Sequence, residues 1–450
     1  MKLVKSLLLG STAGIAAVAG AHAADLPSRK AAPVEYVRVC SAYGAGFFYI
    51  PGTDTCLRVG GRVRAEYTVG TQHGDFQDSF GTRARGRLNV DARTATAYGT
   101  LRTFFRYELT NSSGVYTAGS GFNSGSPVAG TVRGLSGQAT LLDLAFVQFG
   151  PITAGRAQSF FDFYASDFNF STIRTADTRL NLLAYTATFG SGFSATVSLE
   201  DRSSAGGREN GVASTTLLAP GLLPAPDYPD VVASLRVDQG WGSAQLSGAL
   251  TQRKAAITLN NGLVASSEEL GFAAQAGVKL NLPMLAAGDT LFLQAAYADG
   301  ALGYLGWTGG FGVGRTGTLI LADAAISSVN GRMENSTGFS LVAALRHFWT
   351  PTLRSELSGS YSWLKLPYQQ VGPGFTGITT RSLDPEELIV AANLVWSPVS
   401  GLDIGVEVLY TNLNLRSPVG IVNNAAGRSG LFGIKSEDSI AGRFRIQRDF

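Results

Sequence analysis

The stretch Leu57-Arg-Val-Gly-Gly-Arg-Val-Arg-Ala-Glu-Tyr67 alternates along its length. Arg58, Arg62, Arg64 and Glu66 fall on one side, and Leu57, Val59, Val63, Ala65 and Tyr67 on the other. A period of two places successive side chains on opposite faces of a β-strand. The next segment repeats the pattern. Arg83, Arg85, Arg87, Asn89, Asp91 and Arg93 alternate with Ala84, Gly86, Leu88, Val90 and Ala92. A third sets Thr100, Arg102, Arg106 and Glu108 against Leu101, Phe105, Tyr107 and Leu109. Nine arginines thus share three polar faces with three acids. The alternation by itself fits either the outer face of a soluble sandwich or the lining of a water-filled channel. The crowding of one charge favours the lining, because a solvated surface mixes its signs.

Working outward, residues 1–23 combine Lys2 and Lys5, an apolar run from Leu7 and the small-residue site Ala21-His22-Ala23, as a cleaved export signal does. Its removal takes two lysines and no acids, so the formal charge falls from +3 to +1. Near-neutrality gives no case for nucleic acid as a partner. Charged residues make up only 15% of the chain, glycine is plentiful, and no later stretch is apolar enough for a membrane helix. Cys40 and Cys56 are the only cysteines, and export to an oxidising compartment predicts a disulfide between them. No metal site is expected at that pair, since no histidine lies near it, and no cofactor site is expected. No Ser/His/Asp set or metal cluster can be assembled, so enzymatic activity is not expected.

Thirteen further alternating segments follow, at Leu142–Phe146, Ile152–Arg156, Leu183–Phe189, Phe193–Leu199, Val231–Val237, Ala244–Leu250, Phe272–Leu280, Leu291–Tyr297, Phe339–Leu345, Leu353–Trp363, Leu388–Trp396, Leu402–Tyr410 and Ile440–Phe450. Their links alternate in length. Short ones such as Gly150-Pro151 and Thr350-Pro-Thr352 separate long ones at 110–137, 158–179, 201–229, 253–268, 298–335, 364–386 and 411–437. Sorting all short turns to one side is the habit of outer-membrane barrels, and an even strand number returns both termini to the periplasm. Tyr67, Phe189, Trp241, Tyr297, Trp349, Trp396 and Phe450 cluster at strand ends, as an interfacial aromatic girdle requires. The expected organisation is a signal peptide (1–23), a periplasmic segment with the disulfide loop (24–56) and an all-β, 16-stranded antiparallel transmembrane barrel (57–450). Gly306-Trp-Thr-Gly-Gly-Phe-Gly-Val-Gly314 lacks the lysine and the strand-to-helix setting of a phosphate-binding loop, so a flexible external loop is expected there.

Loop 158–179 carries Ser159-Phe-Phe-Asp-Phe-Tyr-Ala-Ser-Asp-Phe-Asn-Phe170, which is too aromatic to project into water. Folded into a lumen, its rings would pack on the wall while Asp162, Asp167 and Asp177 face the channel. A lid or interface segment is the alternative.

Val39-Cys-Ser-Ala-Tyr-Gly-Ala-Gly-Phe-Phe-Tyr-Ile-Pro-Gly-Thr-Asp-Thr-Cys-Leu57, Ser159-Phe-Phe-Asp-Phe-Tyr164 and the terminal aromatic strand resemble the alphaproteobacterial general porin family. The resemblance runs from about Val37 to Phe450 and is densest in its first third. It implies a homotrimeric barrel among outer-membrane lipids, passive diffusion of small hydrophilic solutes, and loop 158–179 folded inward as the constriction. Arg58, Arg62, Arg64, Arg83, Arg85, Arg87, Arg102 and Arg106, joined by Arg443 and Arg445 of the last strand, would then form a basic band. That band is expected to face Asp162 and Asp167 across the narrowest part of the pore, with Asp177 on the same loop. Phe450 would close the barrel seam. A substrate-selective porin and a structural outer-membrane protein are the rival readings. These strands offer few inward aromatics for a greasy track, Phe104 being an exception.

Overall fold

A computed structural model of the chain describes residues 38–71, 78–116, 136–214, 226–259, 261–311, 319–368, 382–423 and 430–450. The expected signal peptide (1–23) and residues 24–37 lie outside the described residues. Sixteen long strands form one antiparallel sheet. They are β1 (Cys56–Gly70), β2 (Phe80–Thr96), β3 (Gly99–Ser113), β4 (Ser136–Phe149), β5 (Ile152–Gln158), β6 (Arg179–Gly190), β7 (Phe193–Asp201) and β8 (Asp230–Gln239). The second half comprises β9 (Gly242–Thr258), β10 (Val264–Asn281), β11 (Thr290–Asp299), β12 (Thr337–Thr350), β13 (Leu353–Lys365), β14 (Glu386–Val399), β15 (Leu402–Asn423) and β16 (Gly430–Asp449). Each pairs with its sequence neighbours, and β16 returns to β1 from Arg62↔Asp449 to Gly70↔Ala441. Closure leaves no strand edge, which is what makes a sheet tolerable in hydrocarbon.

Phe450 extends that seam. Its N–H donates to the Gly61 carbonyl at 3.1 Å, and its carbonyl accepts from the Gly61 N–H at 2.9 Å. A Cβ on Gly61 would sit 2.6 Å from the Phe450 ring, so only glycine lets that ring lie over the seam. Before β1, Phe48–Tyr49 pairs with Leu57 and Cys56, and Cys40 and Cys56 are bonded with Cα atoms 5.9 Å apart.

Outward side chains are apolar yet accessible. Val63, Leu88, Leu235, Leu246 and Val408 are 44–60% exposed. A continuous accessible apolar belt of this kind marks a surface meant for lipid. Inward positions carry the charged and polar residues, many of them covered by chain folded into the barrel.

Four features depart from the sequence expectation. First, β4 contains a register shift opposite Arg106/Tyr107, which leaves Asp143 as an extra residue. A bulge exchanges the two faces of a strand. Leu142 therefore points out, whereas Leu144 and Phe146 lie opposite Arg106 and Phe104 on the lumen side. Second, links 253–268 and 411–437 are mostly strand, since β9 and β10 pair as far as Thr258↔Val264 and β15 and β16 as far as Asn423↔Gly430. The ladder hydrogen bonds continue into these links, and one face stays covered: Ala255 and Ile257 pack against Val212, Ala324 and Ile326, and Leu413 and Leu415 are buried.

Third, the glycine-rich segment expected to be flexible is packed at its start. Leu302, Tyr304, Leu305 and Trp307 are buried, and the Trp307 indole N–H donates to Ser362 Oγ at 3.1 Å. Gly306 adopts φ +82°, and a Cβ there would meet the Thr175 backbone at 2.4 Å. Glycine here serves close approach to loop 159–178 rather than mobility. The buried set continues through Leu321, Leu364, Leu366 and Leu413, filling one side of the mouth. Fourth, Asp162 is buried, as described below.

Candidate functional site

Directly opposed residues on adjacent antiparallel strands have Cβ atoms about 4.5–5.5 Å apart, close enough to join charged side chains. The β1/β2/β16 register therefore dictates the ion pairs of the inner wall. Glu66 lies opposite both Arg83 and Arg445, and it accepts from them at 2.6 Å and 2.8 Å. Glu108 lies opposite Arg87, accepts its Nε–H at 2.5 Å and stands 3.5 Å from Arg85. Arg62 meets Asp449 at 2.5 Å, and Arg64 donates to Gln447 at 2.8 Å. Asp91 accepts from Arg93 and Arg102 together, while Arg106 reaches Asn89 at 2.9 Å and Asp143 at 3.3 Å. Arg443 donates to Thr68 at 3.1 Å. Arg58 has no carboxylate within 4.0 Å among the described residues.

Eleven arginines (58, 62, 64, 83, 85, 87, 93, 102, 106, 443 and 445) thus stand with five carboxylates, Glu66, Asp91, Glu108, Asp143 and Asp449. The surplus is positive. The arginine side chains on β2 and β3 keep 17–27% exposure while the acids between them are 0–10% exposed, so the guanidinium edges meet the lumen and act through their field.

Loop 159–178 lies inside the barrel, held to the opposite wall by backbone groups. The Phe161 carbonyl accepts from Gln245 and Gln275, the Tyr164 N–H donates to Gln294, and the Phe168 carbonyl accepts from Asn393. Glu407 accepts the N–H groups of Phe170 and Ser171 at 2.5 Å and 2.7 Å. Arg174 forms a two-point contact with Glu387 at 2.6 Å and 2.8 Å. Phe163, Tyr164, Phe168 and Ile173 bury their side chains against Phe292, Val342 and Ile389. Aromatic content thus seats the loop on the wall.

The loop's acids separate into two kinds. Asp162 does not face the arginine band. It is buried in an ion pair with Arg208, which also reaches Glu200 at 3.2 Å, and it accepts the Thr178 N–H at 2.7 Å. Burial pushes its carboxyl up and Arg208 offsets that. The shift is upward on balance, so dehydration costs the carboxylate more than Arg208 and Thr178 return; what the pair supplies is position, since removing either partner would leave the other charge buried alone. Asp167 is exposed on the loop, near enough to Arg346 and Lys279 to feel both, and confinement followed by Asp177 raises its pKa. Asp177 stands 3.3 Å from Arg179, which lies 3.2 Å from Asp143 and so links the loop's end to Arg106; burial raises the Asp177 carboxyl as well. What meets Arg443 and Arg445 is the Phe170 carbonyl, at 2.6 Å and 2.9 Å, with its ring 4.0 Å from the Arg445 guanidinium.

Arg208, Arg179, Asp143, Glu407 and Phe146 escaped the sequence reading. Arg208 sits in a long link without periodicity, and Phe146 follows a bulge that alternation cannot reveal. Glu66, Asp91 and Glu108 were visible as wall acids, but their sharing between two arginines needed the register.

Residues 25–442 match the family described as the porin subfamily. Porin Omp2b of Brucella suis biovar 1 (strain 1330) is 37% identical over 252 residues, covering 53% of this chain and 64% of that protein. Porin Omp2b of Brucella melitensis biotype 1 is 36% identical over the same length. These curated relatives are therefore matched over a little under two thirds of their length. Among solved structures, the outer membrane channel DcaP of Acinetobacter baumannii superposes with TM-score 0.60 over 89% of this chain and 99% of that one, at 15% identity. That likeness is one of fold. With a closed sixteen-stranded barrel, an inward loop and a family match spanning nearly the whole sequence, the chain belongs to the porin subfamily of outer-membrane β-barrels.

Proposed function

We propose that this barrel is a passive pore for small hydrophilic solutes and ions, without enzymatic activity and assembled as a homotrimer. Both termini lie in the periplasm, residues 1–23 are removed on export, and residues 24–56 form the periplasmic segment. The observation that carries the reading is the arginine band beside an inward loop. Eleven arginines with five carboxylates line one side of a lumen that is wide enough for water in a barrel of this strand number. Arg58, Arg62, Arg64, Arg83, Arg85, Arg87, Arg102, Arg106, Arg443 and Arg445 bias the pore towards anions, with Asp167 and Asp177 opposing them from the loop. Asp162 holds the loop in place. No solute is bound tightly, because conduction needs sites weak enough to leave.

The test is a planar-bilayer recording of the purified protein under a salt gradient. Stepwise conductance with a reversal potential on the anion side is expected. Insertion without conductance would favour the structural outer-membrane reading instead.

A further inference from the structure

The bulge in β4 turns Phe146 into the lumen, where it meets the inward-facing Phe104 of β3 beside the arginine band. The Phe104 and Phe146 rings stack with centroids 5.4 Å apart and planes inclined by 23°. The Arg102 guanidinium carbon lies 5.1 Å from the first ring and 5.4 Å from the second, and that of Arg106 lies 5.5 Å from Phe104. Both rings keep partial exposure. Phe146 also packs against the buried patch of Ala157, Leu180 and Leu182, which makes the pair the end of an apolar strip that reaches the cations.

The two arginines differ in what they have left to give. Arg102 commits its three nitrogens, two to Asp91 and one to Gln148. Arg106 donates Nε–H to Asn89 and Nη1–H to Asp143, which leaves Nη2 without an acceptor among the described residues. A guanidinium edge with a spare donor beside a ring pair offers both halves of an aromatic acid a partner. The carboxylate takes the donor, and the ring takes an edge-on or offset aromatic contact. An aliphatic acid of the same size and charge receives only the first.

We infer that the pore carries a transient station for planar aromatic carboxylates, with the acid group on Arg106 and the ring against Phe104 and Phe146. The inference rests on the pore reading above and adds a solute class to it. An aromatic contact lengthens residence by about two- to tenfold. Benzoate and cyclohexanecarboxylate, matched in charge and size, are compared on the purified full-length protein in planar bilayers by current noise and bi-ionic reversal potentials. Benzoate is expected to reside longer by that factor. Replacing Phe104 and Phe146 together by Leu should bring the ratio of the two acids to one, whereas Arg106→Gln should shorten both. Equal residence of the two acids in the unaltered pore overturns the inference and leaves the pore reading standing, as does a benzoate preference that survives the double substitution. Insertion with no conductance overturns the pore reading, and this inference with it.

Discussion

In the lumen wall Arg83 and Arg445 share Glu66, and Arg85 and Arg87 share Glu108, with arginine side chains on β2 17–24% exposed. Behind the loop, Arg208 joins Asp162 and Glu200 with no partner more than 1% exposed. The same two chemical groups meet in both places under opposite solvent conditions. In the wall, water reaches the arginine edges though Glu66 and Glu108 are covered, and the cations outnumber the acids, so the product is a field. Behind the loop water is nearly gone, reaching only Glu209 at 17% exposure, and the acids outnumber the cations. Arg202, Arg208 and Arg253 stand with Asp162, Glu200, Glu209, Asp230 and Asp323. There the product is position: losing one partner strands a charge that cannot be rehydrated. On the proposed pore reading, the wet arginines act on solutes and the dry arginines fix the chain that narrows their path.

The hardest test of this contrast is Arg208→Ala. Stranding Asp162 and Glu200 should cost about 3–5 kcal/mol locally. The loop is then expected to leave the wall, raising single-channel conductance and opening 159–178 to protease within a barrel that still runs as a folded species on unheated gels. Unchanged conductance and cleavage would mean that Glu407 and Glu387 suffice to hold it.

Removing wet arginines should do the reverse, changing selectivity and sparing the fold. Replacing Arg62, Arg64 and Arg85 together by Ser is expected to move the reversal potential towards cations several-fold in relative permeability. A unit charge pair at 4 Å is worth roughly 1 kcal/mol in water and about 4 kcal/mol at an effective dielectric near 20. Thermal stability should fall little, because exposed pairs contribute about 0–1 kcal/mol each. A large loss of assembly would show that the wall, too, is structural.

A smaller shift of opposite sign is expected from Asp167→Asn with Asp177→Asn. These two acids face a surplus of cations, so removing them strengthens an existing preference. A reversal potential that stays put at low salt would remove them from the conduction path.

The smallest effect is one of pH. Partial desolvation inside the barrel and, for Asp167, its neighbour Asp177 raise both carboxyls above the ordinary aspartate range. Acidification therefore strips their negative charge earlier than from free aspartates. Anion preference should rise as pH falls, beginning above the usual carboxylate window, and the Asp167/Asp177 double variant should lack that early phase. An identical pH profile in the variant would assign the change to other groups.

Much of the molecule was legible in its residues. The sixteen strands, the short turns along one rim and the arginine faces of β1–β3 follow from local pattern, because alternation is written residue by residue along one strand, and the Cys40–Cys56 bond follows from export and the cysteine count. Where the pattern failed, a non-local contact decided. Asp162 reads as a pore acid until Arg208, 46 residues later, is seen beside it. Gly306 reads as part of a flexible loop until Thr175 is found against it. Phe146 reads as a lipid-facing ring until Asp143 is found to be extra in the ladder.

By itself, then, the sequence determined the barrel wall and the sign of its charge, since both are sums over strands whose faces alternate independently of one another. Tertiary structure alone decided which charges do the work. Loop 159–178 is drawn across the lumen by Gln245, Gln294, Asn393 and Glu407, from strands distant in the chain. Where those groups pull the backbone fixes which acids are buried beside an arginine and which remain in water, because the cost of dehydrating a charge depends on what stands beside it.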